Sequence, residues 1–67
     1  MYEFEVVFTA ARKGFKEEPR RGTIYVVEPN VRTVARNVNT AFDYVKMHSI
    51  SNMGPIQRSD DFHYHGL

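Results

Sequence analysis

The stretch DDFHYHGL, residues 60–67, sets two imidazoles two positions apart behind a pair of carboxylates. Side chains alternate along an extended backbone, so His63 and His65 project to one side together with Asp61. Asp60, Phe62 and Tyr64 take the other side. Imidazoles placed in this way could share one divalent ion if Asp61 or His48 supplied a third ligand. A metal centre holds its ligands to within about 0.2 Å, whereas chain ends fray unless something ties them down. The sequence therefore assigns no metal and no other cofactor. Residues 60–67 are expected to form a flexible tail or an edge strand, with Phe62 and Tyr64 turned toward the rest of the fold.

A second cluster is electrostatic. Residues 10–22, AARKGFKEEPRRG, carry five basic and two acidic side chains, a net charge of +3, while the rest of the chain carries −2. Arg12, Lys13, Lys16, Arg20 and Arg21 surround Phe15 in what reads as a loop. Such groups can contact phosphates while an aromatic ring stacks on a base, or they can clasp an acidic protein surface. Glu17 and Glu18 offset part of the charge. Arg32 and Arg36, one helical turn apart, could extend that basic surface or simply keep a helix face solvated.

Other chemistries lack their residues. The chain has no cysteine, so neither a disulfide nor a thiolate zinc site can form. There is no glycine-rich phosphate cradle, no GxSxG turn and no HExxH helix. Glu3 and Glu5 share one strand face, which surface solvation explains. A 67-residue chain also has little volume in which to exclude water from a pocket. The sequence is read as non-enzymatic.

The elements that must position these groups follow from periodicity. YEFEVVFT, residues 2–9, alternates with a period of two, placing Tyr2, Phe4, Val6 and Phe8 on one face and Glu3, Glu5, Val7 and Thr9 on the other. GTIYVVE, residues 22–28, is rich in β-branched and aromatic residues and turns Ile24 and Val26 inward. The two strands predict an antiparallel hairpin with a long loop punctuated by Gly14, Pro19 and Gly22. Val31, Val34, Ala35, Val38, Ala41, Phe42 and Val45 form one helical stripe, which predicts a helix over about 30–48. Pro29 and Asn30 suit its start, and Lys46 and His48 suit its negative end. SISNMGP, residues 49–55, reads as a turn, and the segment from Ile56 as a third strand.

The expected fold is α+β: a single ββαβ domain over residues 1–67, with a small antiparallel sheet and one helix on one face. Val7, Tyr25 and Val27 fall on the sheet face away from the helix, where a patch of apolar groups suggests a partner or a second copy. The C-terminal tail folding over that patch is the alternative. No apolar run approaches the roughly 18 residues of a membrane span, and MYEFEVVF lacks the features of a secretory signal. These observations, with the absence of cysteine, lead to an expectation of a cytoplasmic protein without a membrane partner.

The hairpin, single helix and trailing strand resemble the layout of small phage-encoded inhibitors of host machinery, such as inhibitors of bacterial RNA polymerase and anti-defence proteins. The resemblance lies in element order and size, not in a residue motif, so it transfers no site residues. It implies an inhibitor or adaptor that engages a larger nucleic-acid-handling protein. Direct nucleic-acid binding through the basic loop, and a structural homodimer, are the competing expectations.

Overall fold

The structure is a computed structural model that describes residues 1–56 of the 67. Its element order is β1 (Tyr2–Arg12), β2 (Arg20–Glu28), α1 (Val31–Ala41) and β3 (Phe42–Pro55). The three strands form one antiparallel sheet in the order β2-β1-β3. The α+β class and the strand, strand, helix, strand order are those expected from the sequence. Asp61, His63 and His65 lie outside the described residues, as does the tail or edge strand expected over 60–67.

β1 and β2 pair without a break from Tyr2↔Glu28 to Ala10↔Arg20. Opposed residues in an antiparallel pair share a face. Phe4, Val6 and Phe8 therefore line up with Val26, Ile24 and Gly22 on the core face. Glu3, Glu5 and Val7 line up with Val27, Tyr25 and Thr23 on the other. Phe4, Val6 and Phe8 are buried together with Val34 and Val38 of the helix, and Ile24, Val26, Phe42, Val45, Met47 and Ile50 pack around them. Tyr2, expected in this core, is 40% exposed, with its ring edge-on to Phe4, centroids 6.4 Å apart.

The helix begins where its cap predicts. The Asn30 side chain accepts from the Thr33 amide at 2.8 Å and the Thr33 hydroxyl at 3.0 Å, satisfying a donor the first turn leaves free. Its end differs from the expectation. The chain leaves the helix at Phe42, whose backbone is extended at φ −128 and ψ 160, and residues 42–55 form β3. The turn expected over 49–55 is thus strand, and the third strand lies before Ile56. Two patterns overlap in FDYVKMHSI. Phe42 and Val45 fit a helical stripe, but Val45 and Met47 also alternate with the exposed Tyr44, Lys46 and His48. The aromatic and β-branched residues of this segment favour the pleated arrangement, and β1 offers it a long edge. Packing decided the outcome, as it does for helices built from valine and threonine.

Accommodating β3 requires three register shifts against β1, between Glu3/Phe4, Val7/Phe8 and Thr9/Ala11. At the last of these Tyr44 adopts φ 57, a left-handed conformation that is costly for a residue with a Cβ. An 11-residue helix spans about 16 Å against about 36 Å for an 11-residue strand. Ile24 and Val26 on β2 are only half-buried at the edge of the core. The core face along β2 consequently stays open.

Candidate partner-binding groove

Two clefts run along that open side. One, about 370 Å³, is bounded by Phe8, Ala10, Ile24 and Phe42 and by Arg12, Arg20 and Arg21. The other, about 150 Å³, lies between Ile24 and Val26 of the sheet and Val34, Val38 and Ala41 of the helix. Ile24 and Phe42 border both clefts, so the two make one trough. Phe42 is fixed by its ring, which meets Phe8 edge-on with centroids 5.1 Å apart.

The loop between β1 and β2 is built rather than loose. Phe15 N–H donates to the Arg12 carbonyl at 3.1 Å, and Gly14 takes φ 82, a conformation open to glycine because it has no Cβ. Arg12 grips the Glu17 carboxylate with its Nη2 at 2.9 Å, its Nε at 3.1 Å and its backbone N–H at 2.9 Å. Its guanidinium also lies over Phe15, 4.1 Å from the ring centroid, a cation–π contact. The Arg12 side chain and backbone bonds hold the Glu17 carboxyl below its ordinary pKa, with partial desolvation opposing them. Lys13 donates to the Thr40 carbonyl at 2.8 Å, and Gly14 N–H donates to Asp43 Oδ2 at 3.1 Å.

These contacts sort the basic residues named from sequence. Arg12, Phe15 and Lys13 organise the loop and the helix end, although Phe15 stays 54% exposed. Arg20 and Arg21 border the larger cleft, and neither forms an ion pair within 4.0 Å among the described residues. Lys16 is exposed in the loop. Arg32 and Arg36 are exposed on α1. Arg36 stands two residues from both Val34 and Val38, about 200° round the helix from each, so the helix arginines face away from the sheet.

The outer sheet face carries Val7, Tyr25 and Val27 as expected, with Tyr25 58% and Val27 42% exposed and Val7 half-buried. Glu5 stands opposite Tyr25 and Glu3 opposite Val27, so carboxylates interrupt the patch. The Tyr25 hydroxyl donates to Glu5 at 3.0 Å. That bond, with the negative charge of Glu5, raises the phenol pKa. His48 shares a 2.7 Å hydrogen bond with the Thr9 hydroxyl, and no cluster of three or more metal-ligating side chains occurs among the described residues.

Three groups at the site carry no mark of their role in the sequence. Phe42 fits a helical stripe as well as a strand start, and Glu17 looks like diffuse neutralisation of the basic loop. Tyr44 falls within the expected helix, yet it is 75% exposed in a left-handed conformation. No signal in the sequence separates Tyr44 from an ordinary helix-surface tyrosine. The alternation of Val45 and Met47 is the clue that would have moved Phe42. Among the described residues, no helix is long and apolar enough to cross a membrane. Compared with models of known protein families, with curated proteins and with solved structures, the chain matches none.

Proposed function

We propose that this is a non-enzymatic binding protein, an inhibitor or adaptor of the cytoplasm whose larger cleft receives an acidic segment of a larger protein. The observation that supports this reading is the combination of an apolar floor, Phe8, Ala10, Ile24 and Phe42, with the guanidiniums of Arg20 and Arg21 at its border, where Arg12 is already paired with Glu17. An apolar anchor seated in a pocket supplies most of the energy of a small interface. Charges around it set orientation and on-rate. A nucleic-acid-handling partner that exposes acidic segments has the matching chemistry.

Direct nucleic-acid binding has less support from the same geometry. Single strands are held by a cationic groove that tracks successive phosphates. Here Arg12 is neutralised by Glu17, Lys13 is committed to Thr40, and Arg32 and Arg36 point elsewhere. Fluorescence anisotropy distinguishes the two readings. A labelled peptide of alternating Asp and Leu or Phe should bind the wild-type chain at least tenfold more tightly than an Arg20→Ala/Arg21→Ala variant. A labelled oligonucleotide should bind more weakly than the peptide at about 0.15 M salt. Tighter oligonucleotide binding, or a peptide affinity indifferent to both arginines, contradicts the proposal.

A further inference from the structure

We infer that β2 is a self-complementary dimerisation edge, on which a second copy of this chain adds its own β2 antiparallel to form a continuous six-stranded sheet. Among the described residues β2 is an outer strand of the sheet, so half of its backbone N–H and C=O groups face outward, a template for another strand. Native edges of this kind are usually blunted by bulges, prolines or inward charges. β3 carries such devices, with three register shifts, Lys46 among its residues, and Gly54 and Pro55 at its end. β2 is paired through nine consecutive residues without a shift and contains no proline.

The sequence of β2, RRGTIYVVE, specifies the register. A two-fold axis at its central residue brings Ile24 opposite the same residue of the other copy, Thr23 opposite Tyr25, Gly22 opposite Val26, Arg21 opposite Val27, and Arg20 opposite Glu28. Each of these pairs occurs twice by symmetry except the central one. Arg20 thus meets an opposite charge in this arrangement and Arg21 meets none of its own sign, whereas parallel pairing sets Arg20 and Arg21 against the same cations, which is destabilising. Gly22 has open space where its Cβ would stand, room for the Val26 that comes beside it. The half-buried Ile24 and Val26, and the apolar cleft they share with Val34 and Val38, lie along the same seam. Pairing there continues the core from one copy to the next, with both helices on one face.

Arg20 and the trough beside Ile24 serve both this inference and the acidic-partner reading. Self-association is measured without any peptide, so a monomer overturns this inference alone, and a peptide affinity indifferent to the arginines overturns only the other. Light scattering should give twice the 7.8 kDa chain mass at about 100 μM. Arg20→Glu and Glu28→Arg should each raise the dissociation constant at least tenfold, and the double exchange should restore it. The chain lacks cysteine, so a single introduced thiol reports contact directly. Opposed Cα atoms in an antiparallel pair lie about 4.5–5.5 Å apart, within disulfide range. Ile24→Cys should therefore give a disulfide-linked dimer on mild oxidation, while Ser51→Cys on β3 should not. A monomer at that concentration, a dimer indifferent to the charge reversals, or preferential linking through Ser51→Cys overturns the inference.

Discussion

The Lys13 ammonium donates to the Thr40 carbonyl at 2.8 Å, tying the β1–β2 loop to the last turn of the helix. The final carbonyls of a helix have no partner within it and carry its negative end. Lys46 and His48 were expected to fill this role, but both lie in β3, and the last turn contains no basic residue of its own. A lysine 27 positions earlier does so instead. Lys13→Ala should lower stability by about 0.5–1 kcal/mol, readable as a lower thermal midpoint. Lys13→Arg should retain most of it. An unchanged midpoint for the alanine variant contradicts the role given to this contact.

The helix is held by one side only. Val34 is 1% exposed and Val31 is 48% exposed. Val34→Ala should cost about 1–3 kcal/mol, the range for emptying a fully buried aliphatic side chain. Val31→Ala should be close to neutral, because the better helix propensity of alanine offsets the smaller area that Val31 buries. Urea denaturation of both variants checks the contrast. Equal losses would mean that the helix is seated differently.

Acid should loosen the loop before it loosens the sheet. Bonds from Arg12 depress the Glu17 pKa in the folded state. Their contribution is therefore complete above the ordinary glutamate range and is lost as pH falls through the folded-state value. Carbon-detected NMR titration should give Glu17 a lower midpoint in the wild-type chain than in an Arg12→Ala variant, with the Arg12 amide of the wild type shifting at the Glu17 midpoint. Coincident Glu17 midpoints in the two proteins contradict the contact geometry. Glu17→Gln should remove the Arg12 response.

Tyr44 combines an exposed ring with φ 57. A left-handed conformation costs a residue with a Cβ about 1–2 kcal/mol, while glycine adds about 0.4–1 kcal/mol of unfolded-state freedom. These effects nearly cancel, so Tyr44→Gly should leave stability within about 1 kcal/mol. Strained residues persist chiefly where function holds them. Tyr44 follows Phe42 of the cleft by two positions, and its replacement should weaken peptide binding in the anisotropy assay. A large loss of stability would contradict this placement of the bulge.

Both strands of the hairpin were legible because period-two alternation in residues 2–9 and 22–28 has one structural reading. Asn30 was legible because its cap is a local side-chain-to-backbone bond. The helix end was not. Phe42 and Val45 fit a helical stripe while Val45 and Met47 fit an extended one, and no glycine or proline marks the break. The choice belongs to the free edge of β1, which lies far away in sequence. The cleft was hidden for the same reason, since a helix continued to residue 48 would have covered much of it. The basic loop was visible as composition. Its division into structural and uncommitted cations depends on Glu17, Thr40 and Asp43, a three-dimensional arrangement that spacing alone does not encode.

The open trough exists because the chain stops being helical at Ala41 and returns as a strand beside β1. Nuclear Overhauser contacts in uniformly labelled protein test this most directly. The account predicts cross-strand contacts joining Val6 to Ile50 and Phe8 to Met47, the pairs fixed by the β1–β3 register. Unbroken helical contacts from residue 42 through residue 48 would contradict it and close the groove.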